Sequence, residues 1–242
     1  MGVVIEAFSR AAILARDGGF DGIEMDMGPE SLLRQFLSPL SNLRQDEYGG
    51  TLENRMRLPL EVIDRVRESV GNDFTVGIRL CADEKFWGAI TTDESRQFAQ
   101  KFESTGKINF INVSVGTYYN LHLLMASMHT PSGFTIETAE EINGAVEIPV
   151  VGSHQIDTPQ MADDIISEGR ADAVGFIRNL ICDPDWPKKA LEGRLDDIRY
   201  CVKDNQGCIG RINQSKTLSC IQNPSVGYED CGLRIADCGM KH

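Results

Sequence analysis

The sequence predicts an α/β fold, a parallel sheet of the TIM (β/α)8 barrel type wrapped by helices, with a cysteine-rich segment behind it. Segments with helical apolar spacing alternate five times with short apolar runs, which is the grammar of a parallel sheet covered by helices. No Gly-x-Gly-x-x-Gly opens a helix after any of these runs, so the doubly wound dinucleotide-binding alternative lacks its signature. Polar residues stand at the C-terminal ends of the runs, where a barrel carries its active site: Asp26, Arg79, Ser114, Gly116, Ser153, His154 and Arg178.

The elements follow in order. Phe8, Ala11, Ala12 and Ala15 recur at helical spacing, and Gly18 and Gly19 stop that helix before a first strand around residues 22–25. Thr51 is placed to cap a second helix with Met56, Leu60, Ile63, Val66 and Val70 on one face, ended by Gly71; Pro59 inside it predicts a kink. Residues 74–80 then read as a buried strand. A helix over about 92–105 leads to a strand over 110–115, and one over 136–145 leads to a strand over 148–151. A helix over 159–168 leads to the fifth strand, 173–176, and a last short helix covers 187–191.

Composition narrows the function. The 242 residues are 41% hydrophobic and 25% charged, which is ordinary globular usage with ample core. A net charge of -12 leaves no basic patch for phosphate backbones, so nucleic acid is excluded as a partner. No apolar stretch approaches the roughly 18 residues of a membrane span, and the N-terminus lacks a signal-peptide pattern. The expected location is cytoplasmic. Seven cysteines, an odd number without secretory context, suit metal ligation better than a disulfide framework.

Three of those cysteines are grouped. Cys201, Cys208 and Cys220, with Asp204 between the first two, have the spacing of an iron–sulfur ligand set, because thiolates bind soft iron and short spacings wrap one corner of a compact cluster. Asp204 occupies the place of a fourth thiol. A carboxylate is a harder and weaker ligand, so the spacing leaves open a four-iron cluster with one labile iron, a three-iron cluster, or three buried structural thiols with no metal.

Several motifs, taken together and in order, carry a resemblance. Gly19-Phe-Asp-Gly-Ile-Glu24, Gln35-Phe-Leu-Ser-Pro39, Asn42-Leu-Arg44, Asp46-Glu-Tyr-Gly-Gly50 with Glu53-Asn-Arg55, Val76-Gly-Ile-Arg-Leu80 and Asp183-Pro184 resemble the Old Yellow Enzyme superfamily. The chain is most similar to its iron–sulfur branch of flavoproteins such as 2,4-dienoyl-CoA reductase and trimethylamine dehydrogenase. The resemblance runs from about Glu6 to Glu229. That branch carries Cys-x2-Cys-x3-Cys-x11-Cys just after its barrel, which favours the cluster reading.

The resemblance implies a partial barrel. The strand at 20–24 matches the family's fourth, so about five of eight β/α units are expected here, as a fragment of a longer enzyme. The expected division is a partial FMN-binding barrel over residues 1–198, a cluster segment over 199–230 and an unassigned tail over 231–242. The missing strands, and nucleotide-binding domains that would take NAD(P)H, are expected partners, with a small-molecule substrate and a possible homo-oligomer. The cofactors implied are FMN and a 4Fe-4S or 3Fe-4S cluster.

By position, Arg79 corresponds to the residue near the flavin pyrimidine edge, and Arg178 to the arginine that grips the FMN phosphate with the amides of Ser153, His154 and Gln155. Two family glycines are replaced, by Ile177 and by His154. The family's carbonyl-holding His, His or Asn, and Tyr are replaced by Asp26, Pro29 and Ser31. An anionic Asp26 favours an ammonium or accepts a proton, which points toward amine chemistry rather than simple enone reduction; the competing reading is a helix cap. Tyr118 and His122, on the loop after the third strand, are the remaining candidate substrate contacts. Tyr48, Gly49, Gly50, Arg55 and Asp183-Pro184 are read as structural.

Overall fold

The computed structural model describes residues 1–227. The expected tail, and the end of the expected cluster segment, lie outside the described residues. Five strands form one parallel sheet in sequential order: β1 (Gly22–Met27), β2 (Thr75–Asp83), β3 (Phe110–Val115), β4 (Val150–Ser153) and β5 (Ala173–Gly175). Helices α2 (Leu32–Leu37) and α3 (Leu52–Val70) connect β1 to β2, and α4 (Thr92–Glu103) connects β2 to β3. Helices α5 (Leu121–Leu124) and α6 (Ile136–Asn143) precede β4, and α7 (Pro159–Ser167) precedes β5. This is five units of a TIM barrel, with β1 and β5 each paired on one side only.

Each strand sorts its residues between two faces. Met25, Met27, Val76, Ile78, Leu80, Ala82, Ile111, Val113 and Val150 are buried under Val62, Ile63, Val66, Phe98, Phe102 and Ile142 of the covering helices. Full burial of one such side chain contributes about 1.5–3 kcal/mol, so this sheet–helix layer is the main source of stability. The alternate row points to the other face: Glu24 and Asp26 on β1, Gly77 and Arg79 on β2, Asn112 and Ser114 on β3. Gly77 has to be glycine, because a Cβ there would run into the ring of Phe110 on the neighbouring strand.

The helix termini are set by local chemistry. The Thr51 hydroxyl accepts from the Asn54 amide at 3.3 Å, and Gly71, at φ 80°, ends α3. The kink expected at Pro59 does not interrupt the element: α3 runs through it from Leu52 to Val70, with Pro59 buried against the core. Burial of the same face on both sides of the proline holds the helix together despite the lost backbone bond. Short helices escaped the sequence reading, among them α5 and α8 (Arg178–Cys182), only four and five residues long. The first helix, α1 (Gly2–Asp17), also starts earlier than its apolar spacing suggests. Among the described residues no helix is long and apolar enough to cross a membrane.

Candidate functional site

Near the middle of the sheet, one polar row crosses three strands. Arg79 Nε pairs with Glu24 Oε1 at 3.0 Å, and Asn112 Nδ2 donates to Glu24 Oε2 at 2.8 Å. Arg79 is in register with Asp26 on one side and Asn112 on the other. Asn112 Oδ1 is buried with no hydrogen-bond partner, which is costly unless something supplies a donor. The ion pair with Glu24 engages only one of the three guanidinium nitrogens of Arg79.

Asp26 is not the helix cap. Its Oδ1 accepts from the Gly28 amide at 2.7 Å, closing a tight turn, while Ser31 caps α2 by accepting from the Arg34 amide at 3.1 Å. A Cβ on Gly28 would sit 2.8 Å from Asp26 Oδ1 and 3.0 Å from Arg79 Cδ, so glycine is needed for the two charged side chains to share this corner.

The end of β4 supplies the next wall. Ser153 Oγ donates to the Val113 carbonyl at 2.6 Å and lies 3.0 Å from His154 Nδ1. His154 and Gln155 have φ of 72° and 50°, a left-handed pair whose successive amides form an anion-binding type of turn. This backbone explains why a glycine suits the His154 position. The imidazole packs edge-on against Phe134, with ring centroids 6.0 Å apart. Burial, and then the charges of Arg79 and Arg178, push its pKa down from 6.5 to about 4. Three side chains from β2, β4 and the start of α8 thus converge, two of them cationic and the third held neutral. Gln155 Nε2 donates to the Ser127 carbonyl at 2.8 Å, and its Oε1 is a second buried acceptor without a partner.

Arg178 begins α8, directly after the two-residue exit from β5. Its Nη1 donates to the Ala126 carbonyl at 2.6 Å and to Asn205 Oδ1 at 2.7 Å. Ile177 points largely into solvent, 67% exposed, and so does not crowd the turn. Tyr118 is exposed beside Glu30, whose carboxylate raises the phenol above its ordinary pKa; this puts it at the loop that follows β1. His122 is exposed on α5. Neither belongs to the Arg79, His154 and Arg178 group.

The cysteine segment folds around a cleft, partly open to solvent, lined by Cys201, Asp204, Cys208 and Cys220 together with Arg178 and Gly207. Among the described residues no three thiols, imidazoles or carboxylates converge tightly enough for a single metal ion. A polynuclear cluster spreads its ligands over its corners, and a mostly soft donor set around one cleft fits that geometry. Cys182 is fully buried at the end of α8, and burial, with the neighbouring Cys220 and Cys201 thiols, pushes its pKa up to about 12.

Glu24 and Glu84 were missed in the sequence. Glu84, wholly buried, takes Arg34 at 2.7 Å, Ser38 Oγ at 2.5 Å and the Ile90 amide at 2.8 Å, and so knots the loops at the mouth of β2. The residues read as structural are engaged in the same way. Arg55 is buried against the Leu37 carbonyl and Glu94, and Asp183 takes Lys189 at 2.6 Å. Glu24 left one signal, a charge alternating with apolar residues inside a strand.

Residues 2–197 match the NADH:flavin oxidoreductase / NADH oxidase family. The chain belongs to that family. It is 44% identical over 239 residues to an NADH oxidase of Thermoanaerobacter brockii, covering 98% of this chain and 37% of that protein. An N,N-dimethylglycine/sarcosine dehydrogenase of Chromohalobacter salexigens is 37% identical over 235 residues, covering 95% of this chain and 33% of the relative. Among solved structures, a 2-naphthoyl-CoA reductase in complex with 2-naphthoyl-CoA superposes with a TM-score of 0.89 at 30% identity, covering 94% of this chain and 34% of that one. The chain thus spans about a third of the length of the relatives it matches.

Proposed function

We propose that this chain carries the FMN and iron–sulfur sites of a flavin-dependent oxidoreductase whose remaining strands and nucleotide-binding domains lie elsewhere in a longer enzyme. The observation that carries the reading is the convergence of Arg79 from within β2, His154 on the left-handed turn just after β4, and Arg178 at the start of α8. Two cations and successive amides suit a phosphate and an electron-rich ring edge, while the orphaned acceptors Asn112 Oδ1 and Gln155 Oε1 suit the donors of a flavin ring or its ribityl chain. Bound there, FMN supplies hydride transfer with an organic substrate or NAD(P)H. The cleft at Cys201, Asp204, Cys208 and Cys220 would hold the cluster that relays single electrons.

The chain's own residues have distinct tasks. Arg79 holds positive charge at the ring edge, attenuated by Glu24; the turn at His154 and Gln155, with Arg178, grips the phosphate. A neutral His154 avoids a third charge in a half-buried corner and remains able to donate or accept a hydrogen bond.

Asp26 favours a second reading, amine dehydrogenation or demethylation. Its carboxylate is exposed at the end of β1, in register with Arg79, where it can hold an ammonium group or accept a proton. The likeness to a dimethylglycine/sarcosine dehydrogenase points the same way.

FMN and riboflavin titrated separately into the chain, followed by quenching of flavin fluorescence, test the assignment. FMN should bind measurably tighter than riboflavin. Equal affinities would remove the phosphate site, and the absence of saturable quenching by either would remove the flavin reading.

A further inference from the structure

Asp204 sits in a turn that the barrel holds from both sides. Lys203 and Asn205, which flank it, have φ of 60° and 61°, left-handed backbone that is costly for a residue with a side chain and persists only where its surroundings fix it. Here they do. Lys203 Nζ pairs with Asp157 Oδ2 at 2.7 Å and donates to Ser132 Oγ at 3.4 Å, while the Lys203 carbonyl accepts from the Met128 amide at 3.1 Å. Asn205 Nδ2 donates to the Met125 carbonyl at 2.8 Å, and its Oδ1 accepts from Arg178 at 2.7 Å. Lys203 and Arg178 are thus committed elsewhere. The Asp204 carboxylate, in the cleft wall with Cys201, Cys208 and Cys220, takes no hydrogen bond and no ion pair from any described residue.

We propose that Lys203 and Asp157 are positioning residues for the fourth corner of the cluster: their ion pair clamps the turn that presents Asp204 to the cleft. The proposal rests on the cluster reading given above. A carboxylate holds soft iron less firmly than a thiolate, so little binding energy remains to order the chain when the metal arrives. A corner filled by Asp204 therefore depends on a turn that is already set. The pair suits that task, since its side chains are only 17% and 23% exposed and Ser132 bonds to both. At the corner itself a carboxylate lone pair forms an iron–oxygen bond in place of a solvent ligand, and no electron is exchanged. Asp157 lies two residues beyond the turn at His154 and Gln155, so the clamp runs from the proposed phosphate site to the cleft.

The test is anaerobic reconstitution of the full 242-residue chain with ferrous iron and sulfide, measuring iron and sulfide per chain and electron paramagnetic resonance before and after brief mild oxidation. The parent should hold about four irons, whereas Asp204→Ala should fall to about three and give the paramagnetic signal of an oxidised three-iron cluster. Lys203→Met and Asp157→Ala break one pair from opposite sides and remove no ligand. Each should nevertheless give the three-iron signal after oxidation, and Lys203→Arg, which keeps the pair, should behave as the parent. Adding Asp157→Ala to Asp204→Ala should change nothing further. Parent behaviour in both Lys203→Met and Asp157→Ala would overturn the proposal, as would four stable irons in Asp204→Ala, and either result leaves the cluster reading intact. Loss of all iron from Asp157→Ala, with the circular dichroism of the parent, would overturn it too, because the pair would then hold the whole segment rather than one corner. If the parent takes up no iron, the proposal and the cluster reading fall together.

Discussion

Arg178 Nη1 donates to Asn205 Oδ1 at 2.7 Å, so the arginine that opens α8 beside the sheet also pins the loop between Cys201 and Cys208. The Asn205 amide in turn donates to the Met125 carbonyl at 2.8 Å, and Arg178 holds the adjacent Ala126 carbonyl. The proposed phosphate site and the cysteine cleft therefore share a support. Arg178→Ala should weaken FMN binding by about 1.5–3 kcal/mol, the range for a hydrogen bond to a charged group, and should also slow iron uptake. Flavin titration and iron content on the same preparation check this; a variant with normal values for both would break the link.

The neutral state of His154 makes stability depend on pH. The unfolded imidazole titrates near 6.5 and the folded one at about 4, so between these values the unfolded chain binds a proton that the folded chain does not. Stability should fall as the pH drops from 6.5 to 4, by roughly 3 kcal/mol across the window, and should be indifferent to this group above 6.5. His154→Gly, which also suits the positive φ, should remove that slope. Urea unfolding at pH 4.5 and pH 7 for parent and variant measures it.

Glu84 is wholly buried, and its partner Arg34 nearly so. Removing one member of a buried pair strands the other charge, so Glu84→Ala should cost about 3–5 kcal/mol. The double change Glu84→Leu with Arg34→Met should recover much of the loss, because no unpaired charge remains. Chemical denaturation of the three proteins decides whether the pair stabilises the fold or only fixes the loop geometry.

Asp26 accepts one backbone hydrogen bond, from Gly28. Asp26→Asn can keep that bond through its amide oxygen while losing the charge, whereas Asp26→Ala loses both and should cost about 1 kcal/mol. Matching melting temperatures for parent and Asn variant, with lower turnover of amine substrates in the complete enzyme, would assign the charge to chemistry. Unchanged turnover would leave Asp26 as a turn residue.

The five strands could be read from the sequence because their helix-facing residues are strongly apolar and each run is punctuated by glycine or a capping threonine. His154 and Arg178 could be placed for the same reason, since each closely follows a strand, whereas Arg79 lies inside β2, which runs past its expected end at 80 to Asp83. What could not be read depends on contacts between distant segments. Glu24 and Asn112 meet only once β1 and β3 flank β2, and Glu84 finds Arg34 and Ser38 only through the loops. Asp26 was ambiguous because a strand-end acid before a short helix satisfies the pattern of a cap and of a tight turn equally well.

Because the sheet order follows the chain order, every strand pairs with the one made just before it. A chain emerging from the ribosome can therefore assemble this sheet vectorially, each new unit docking on a finished edge, with no strand waiting for a distant partner. The cysteine segment follows all five strands in the chain, so the wall it folds against, including α8 beside β5, is already in place when the segment is made.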